Sequence, residues 1–289
     1  MNANNAIFIL NPISGVSKKN DIPALIGQYF EGDYEVVLTE YAGHGTLIAA
    51  EAVSLGVKNI IAIGGDGTIN EIAKSLVGSK SSLGIIPTGS GNGLARHLNI
   101  PLKITKAIRF LNAAKSSLID VGRLNGHLFL CTAGVGLDAE VTHDFASRGT
   151  RGLSTYIKSG LSIFKNIKNK KYTFSLDGKE TQTDEGIIFT IANASQYGNN
   201  AVISPMSLIN DGILDLCVLP KMGIINAISH LIKIFRGTLD QSSETSYYSF
   251  KKLNVDLIGE TKAHVDGEPI TVNDSIEVQI EAEALKVLV

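Results

Sequence analysis

Three glycines stand around one carboxylate in Gly64-Gly65-Asp66-Gly67, which follows the apolar run Ile60-Ile61-Ala62-Ile63 and leads into Thr68-Ile69-Asn70-Glu71. Glycines at a strand-to-helix turn let backbone N–H groups approach phosphate oxygens without an intervening Cβ, and the next helix aims its positive end at the same anion. A carboxylate is a poor choice for simply holding an anion, because it repels phosphate unless a metal or a transferable proton stands between them. Asp66 therefore reads as chemistry rather than cradle, with a capping Asp in a tight turn as the bland alternative. A second loop of this kind, Pro87-Thr88-Gly89-Ser90-Gly91-Asn92-Gly93, follows the apolar run Leu83-Gly84-Ile85-Ile86. Neither loop has the Gly-x-Gly-x-x-Gly spacing that opens the first helix of a dinucleotide-binding unit. Two glycine loops after two buried strands suit an open α/β sheet whose ligand sits at the carboxyl ends of the strands.

The elements that must carry these loops alternate over the first third of the chain. Strand-like runs cover Ile7–Leu10, Tyr34–Leu38, Asn59–Ile63 and Leu83–Ile86, with helical patterns near 21–30, 45–55, 69–77 and 103–113. Short apolar strands separated by helices imply a parallel sheet. From about Ile119 the pattern changes to strand runs at 127–131, 172–176, 186–191, 214–218, 253–257 and 276–280. Asn125-Gly126, Asp177-Gly178, Asp211-Gly212 and Asp266-Gly267 stand between them as hairpin signals. The expectation is an α/β protein in two parts: an N-terminal parallel-sheet nucleotide-binding domain over 1–120 and a C-terminal antiparallel β-sandwich domain over 121–289. The active site is expected in the cleft between the domains. One helical stretch, 150–171, interrupts the β region, with apolar residues at Leu153, Ile157, Leu161 and Phe164 and a basic stripe of Arg151, Lys158 and Lys165. Such a helix either lies on an anionic bilayer or packs on the sandwich with its lysines in water.

Composition bounds the function. With 289 residues and a formal charge of −2, the chain has core enough for two domains and no global attraction for nucleic acid. Cys131 and Cys217 sit inside apolar runs, as buried thiols of a reducing compartment do. Met1–Asn5 lacks a basic region and leads straight into a strand, unlike a signal peptide, and no run of 18 apolar residues is present to span a membrane.

The two glycine segments, Gly64–Glu71 and Ile86–Asn92, resemble the catalytic domain of diacylglycerol and sphingosine kinases in its soluble bacterial form. The first segment alone is shared with NAD kinases and, more loosely, phosphofructokinases; the second separates them. The resemblance continues, in order, through Thr39-Glu40 with Gly43-His44-Gly45, then Gly134–Glu140, Asn210–Asp215 and Val265–Pro269. It implies an ATP- and Mg²⁺-dependent lipid kinase, cytoplasmic or peripheral at the inner membrane face, with a lipid partner at the membrane surface and room for an oligomer. An NAD kinase-like enzyme and a catalytically silent nucleotide-binding regulator are the alternatives.

By this resemblance Asn11, Ser14, Gly15, Thr39, Gly64, Gly65, Asp66, Gly67, Thr68, Ile69, Asn70 and Ser90 form the nucleotide site, and Asp66 anchors Mg²⁺ directly or through water. Asp211 and the carbonyls of Leu208 and Ile213 hold a structural Mg²⁺, an all-oxygen set suited to a hard cation. Asp138, with Glu140 as the alternative, lies near the transferred phosphate or the lipid headgroup, and Glu268 is the general base. Ser90 and Gly93 stand where many bacterial diacylglycerol kinases carry Thr and Asp, so the lipid stays open between a diacylglycerol and a sphingoid base. Gly198-Asn199-Asn200 replaces a run of glycines.

Overall fold

The computed structural model describes residues 6–13, 21–148 and 153–289; Met1 to Asn5, Ser14, Gly15 and Arg151 lie outside the described residues. The chain forms two units, one of residues 1–119 with 283–289 and one of residues 120–282.

In the first unit β1 (Ala6–Leu10), β2 (Tyr34–Leu38), β3 (Asn59–Gly64) and β4 (Ser82–Pro87) alternate with five helices. These are α1 (Ile22–Tyr29), α2 (His44–Ser54), α3 (Asp66–Leu76), α4 (Gly93–His97) and α5 (Ile104–Ala113). The strands are parallel in the order β2-β1-β3-β4, with Phe8 opposite Val36 on one side and Ile61 on the other. β1, β3 and β4 are buried almost throughout, as their continuous apolar runs require in a sheet covered on both faces. Ile22 and Ile26 of α1 and Ala107, Ile108 and Leu111 of α5 cover one face together with Leu288. The chain leaves β1 toward β2 and comes back to β3 on the other side. That reversal opens a crevice at the carboxyl ends of β1 and β3, where parallel sheets place their ligands. The chain's end also returns to this sheet: Lys286 and Val287 pair parallel with Ser82 and Leu83 of β4.

The second unit is antiparallel. Its elements are β5 (Ser116–Leu124, which enters from the first unit), β6 (His127–Phe129), β7 (Thr132–Gly136), α6 (Leu137–Arg148), α7 (Leu153–Asn166), β8 (Lys170–Leu176) and β9 (Gln182–Gly186). They continue with β10 (Ile188–Ala192), β11 (Leu214–Leu219), α8 (Ile224–Arg236), β12 (Ser246–Phe250), β13 (Lys252–Val265) and β14 (Glu268–Leu288). The order β12-β11-β10-β7-β13-β14 forms one layer, while β13 also pairs with β8 and β8 with β9. β13 can serve both because it meets β8 over Leu253–Asp256 and β7 over Ala263–Val265, with a register shift against β14 between Asp256 and Glu260. A bulge bends a strand in this way at a sandwich corner. Tyr172, Phe174 and Phe189 fill the centre, with ring centroids 4.4 Å apart for Tyr172–Phe189 and 5.6 Å for Phe174–Phe189.

Two of the four hairpin signals are tight two-residue turns. Leu124 faces His127 and Val265 faces Glu268, and all four turn residues have positive φ, as a type I′ turn requires. Asp177-Gly178 joins β8 to β9 through a longer loop. Asp211-Gly212 makes no hairpin; it ends the long connection from β10 to β11. Among the described residues three α-helices, α6, α7 and α8, rather than one interrupt the β region. Cys131 and Cys217 are free and buried.

Gly136 is a place where glycine is compulsory. Its φ is +104°, and a Cβ there would lie 2.2 Å from the Ile187 carbonyl oxygen. Gly136→Ala should therefore lower stability by more than about 1 kcal/mol. Gly160→Ala, where a Cβ meets nothing nearer than 3.8 Å, should not. Urea unfolding of the two variants checks this, and equal midpoints would contradict it.

Candidate active site

Each parallel strand of the first unit ends in a loop that carries expected site residues, so the sheet itself gathers them. Asn11 follows β1, Thr39 follows β2, Gly65-Asp66 follows β3 and Ser90 follows β4. Backbone bonds extend the strand register into these loops: the Asn11 N–H donates to the Ile63 carbonyl at 3.1 Å, Thr39 to Leu10 at 2.9 Å and Thr88 to Gly64 at 2.8 Å. The Asn11 side-chain amide then donates to the Thr68 hydroxyl at 3.1 Å, tying the β1 loop to α3 across the crevice. Glu71 ties α3 to the β2 loop, its carboxylate accepting the Gly43 N–H at 3.1 Å and its carbonyl the Thr46 hydroxyl at 2.9 Å. Gly43-His44-Gly45 and Gly64–Glu71, far apart in sequence, are one contact in space.

The glycines serve a purpose beyond admitting a phosphate. A Cβ on Gly89 would sit 2.6 Å from the Cα of Gly65, and one on Gly64 would sit 2.4 Å from Thr68. The two loops therefore pack backbone against backbone. Asp66 locks them, since its carboxylate accepts the N–H of Asn92 at 2.9 Å and of Gly93 at 2.8 Å while it heads α3. A carboxylate at that end of a helix is favoured by the helix dipole. A carboxylate is also the side-chain type that a hard cation, or water bound to one, prefers. Among the described residues no three His, Cys, Asp or Glu side chains converge as a metal cage, so a magnesium ion beside Asp66 would draw most of its ligands from phosphate and water. Thr88 Oγ1 and Asn92 Oδ1 of the second loop are buried without a hydrogen-bond partner among the described residues, which fits a loop that meets a polar ligand.

Not every expected residue faces the crevice. Ile69 is 1% exposed and its N–H donates to the Gly65 carbonyl, so it belongs to the core and the helix rather than to a ligand contact. Thr68 and Asn70 are buried as well, and Ser90 is exposed. Arg96, which sequence reasoning passed over, donates from Nε to the Gly91 carbonyl at 3.0 Å and braces the second loop. Its signal was its place just beyond the last glycine.

The remaining candidates belong to the second unit. Glu268 opens β14 directly after the turn, exposed. That turn is pinned by Asp266, whose carboxylate accepts the N–H groups of Leu130 at 2.7 Å, Cys131 at 2.8 Å and Thr132 at 3.0 Å. Asp138 is buried and fully engaged. One oxygen accepts the Ala139 N–H at 2.8 Å; the other meets the Thr190 hydroxyl, the Tyr197 hydroxyl at 3.2 Å and His264 Nε2 at 3.0 Å. A carboxylate can only accept here, so His264 carries its proton on Nε2. Glu140 is half-exposed and paired with Lys262 at 2.7 Å.

Asp211 accepts the Ile213 N–H at 3.0 Å, and Asp120 accepts the neighbouring Gly212 N–H at 2.7 Å. Burial pushes the Asp211 carboxyl above the ordinary range; the Ile213 N–H opposes this, and the nearby charges of Asp215 and Asp120 add to it. A divalent cation held by Asp211 would relieve that repulsion. Gly198, Asn199 and Asn200 all have positive φ, at 122°, 52° and 62°. Asparagine tolerates that conformation, so it can stand where a glycine run would.

Comparison with known proteins gives two family matches. Residues 5–124 match the diacylglycerol kinase catalytic domain, and residues 131–289 match the YegS C-terminal NAD kinase beta sandwich-like domain. The diacylglycerol kinase of Bacillus subtilis is 30% identical over 272 residues, covering 91% of this chain and 89% of that one. A Pseudomonas putida protein named "Probable lipid kinase YegS-like" is 29% identical over 80% of each chain. A Bacillus anthracis crystal structure at 23% identity shares the fold, with a TM-score of 0.81 over 98% of this chain and 94% of that one.

Because Asp66 holds two backbone N–H groups, Asp66→Asn turns an amide NH₂ toward one of them. The expected result is a loss of about 1–3 kcal/mol of stability beside any loss of activity. Glu268→Gln, at an exposed strand end, should stay within about 0.5 kcal/mol. Calorimetric melting of both variants is the check; an unchanged melting temperature for Asp66→Asn would mean that the loop–loop bonds contribute nothing.

Proposed function

Since the chain belongs to the family of diacylglycerol kinases and YegS-like lipid kinases, we propose that it transfers the γ-phosphate of ATP to a hydroxyl of a membrane lipid, a diacylglycerol or a sphingoid base. The observation that carries this reading is the meeting of the β1, β3 and β4 loops with the N-terminus of α3, glycine backbone on glycine backbone with Asp66 at the centre. Phosphoryl transfer asks a protein mainly to position phosphates and offset charge, and a helix N-terminus among tightly packed glycine loops does the first. Mg²⁺, when bound, supplies the second.

In this reading the nucleotide is held by Asn11, Ser14, Gly15, Thr39, Gly64 to Thr68, Asn70 and Ser90, with Ile69 anchoring the segment in the core. Asp66 fixes the second glycine loop and would place its carboxylate beside the cation. The lipid oxygen bonds to the γ-phosphorus as the bond to the ADP oxygen breaks, and its proton passes to Glu268. A carboxylate does not remove that proton outright, so Glu268 acts late, as the new bond forms. Asp266 is a positioning residue, because its three N–H bonds set the turn from which Glu268 projects. Asp138 supports the lipid end through Tyr197 and His264. Asp211, with the carbonyls of Leu208 and Ile213, holds a second Mg²⁺ that is structural. No helix among the described residues is long and apolar enough to cross a membrane, so the lipid is met at the bilayer surface.

Two measurements test the reading. Millimolar ATP with Mg²⁺ should raise the melting temperature, because a ligand bound only by the folded state stabilises it by mass action; no shift would count against the nucleotide site. In a screen of extracted lipids with γ-labelled ATP, the wild type should label one lipid class, and Glu268→Gln should label it about 10²-fold more slowly with the ATP-induced shift intact. Undiminished labelling would return Glu268 to the role of a turn residue.

A further inference from the structure

The loop after β2 carries an aromatic pair that phosphate binding does not use. The rings of Tyr41 and His44 lie 4.5 Å apart between centroids and within 2° of parallel, a stacked arrangement. The imidazole covers one face of the tyrosine ring, yet Tyr41 is 57% exposed, so the opposite face is open to solvent. A ring placed in this way adds little to a core. The helix that follows, α2, buries Gly45, Ile48, Ala49 and Ala52 instead.

The pair is firmly mounted. The Thr39 N–H donates to the Leu10 carbonyl at 2.9 Å, which carries the β1–β2 ladder into the loop. The Glu40 N–H donates to His44 Nδ1 at 3.1 Å, so the imidazole is fixed in place and carries its proton on Nε2. The His44 N–H closes a turn on the Tyr41 carbonyl at 3.2 Å, and the Gly43 N–H donates to the Glu71 carboxylate at 3.1 Å. Gly43 takes a φ of +86° within that turn, a value glycine adopts at no steric cost. Tyr41 is thus tied down from both sides in sequence, and Glu71 links its loop to α3. Glu71 stands about 7.5 Å along α3 from Asp66 at the helix head, at about 1.5 Å per residue. A nucleotide whose phosphates meet that head has its base about one sugar away from it, which is where the loop is anchored.

We propose that the open face of Tyr41 is the stacking platform for the base of the nucleotide, with His44 behind it as a positioning residue. The inference deepens the kinase reading by naming the residue that grips the base, and rests on that reading for the presence of a nucleotide. The glycine backbone and the head of α3 can hold phosphates, but a neutral base offers them no charge to hold. A flat ring held rigidly with one face uncovered answers that need, since stacking aligns two π systems and asks for no hydrogen bond. Every nucleobase has such a face, so the platform supplies affinity rather than a choice between bases.

Isothermal titration calorimetry of the full chain with Mg²⁺ and ATP, GTP or inorganic tripolyphosphate separates base from phosphate and needs no phosphoryl transfer. Tyr41→Ala should weaken ATP and GTP binding alike by about tenfold or more, while tripolyphosphate binding and the melting temperature stay as in the wild type. Tyr41→Phe should keep the wild-type ATP affinity. If Tyr41→Ala fails to fold, Tyr41→Leu, apolar but without a π face, takes its place. His44→Ala should weaken ATP binding in the wild type and cause no further loss beside Tyr41→Ala, as expected of a residue that acts through its neighbour. Unchanged ATP affinity in the Tyr41 variant, or an equal loss for tripolyphosphate, would overturn the platform. Additive losses in the double variant would overturn the role of His44. A wild type that binds neither ATP nor tripolyphosphate would overturn the kinase reading itself, and the platform with it.

Discussion

The site in the first unit depends on the approach of two backbones, Gly65 and Gly89, that leaves no space for a single Cβ between them. Loops that follow neighbouring parallel strands would ordinarily splay apart, since each begins its own helix. Here Thr88 continues the ladder to Gly64, and the Asp66 carboxylate holds the N–H groups of Asn92 and Gly93. The contact brings the start of α3 and the start of α4 to one place. The same closeness removes flexibility from a loop whose composition would otherwise make it the most mobile part of the unit, because glycine loses the most conformational freedom on ordering.

Aspartate tethers recur in the second unit and change how its acidic residues should be read. Asp266 accepts three backbone N–H groups, and Asp120 and Asp211 accept one apiece at the end of the β10–β11 connection. Asp138 gathers a hydroxyl pair, an imidazole and a backbone N–H. A short carboxylate is the side chain best able to satisfy several N–H groups at a turn, so aspartates beside glycines are abundant for architectural reasons alone. Glu268 differs in being a glutamate at an exposed strand end rather than an aspartate beside a turn.

This explains which parts were legible in the sequence. The four strands of the first unit and their loops were, because the signals are local: apolar runs of strand length, glycine clusters directly after them, and helical periodicity next. The turns at Asn125-Gly126 and Asp266-Gly267 were legible for the same reason. Asp211-Gly212 carries the same dipeptide, yet its flanking segments pair elsewhere, and pairing is decided at long range. The return of Lys286 and Val287 to β4 is likewise invisible locally. Glycines were legible as sites of close approach, but whether to a ligand or to another loop is settled only by the partner: Gly64 meets Thr68, Gly134 meets the Phe189 carbonyl and Gly122 meets the Phe129 ring.

Helix α8 was legible and was overlooked: in Ile-Ile-Asn-Ala-Ile-Ser-His-Leu-Ile-Lys-Ile-Phe-Arg the apolar residues fill one half of the helix and Asn226, Ser229, His230, Lys233 and Arg236 the other. A helix of that pattern normally buries its apolar half. In this unit it does so only in part: Ile234 packs against the cluster of Ile187, Ile188 and Leu219, while Ile225 and Ile232 stand in the open. The apolar half of α8 is thus wider than the surface that covers it, and a two-sided pattern read from sequence tells which half is apolar but not how much of it a neighbour reaches, because that is decided by the packing of distant segments.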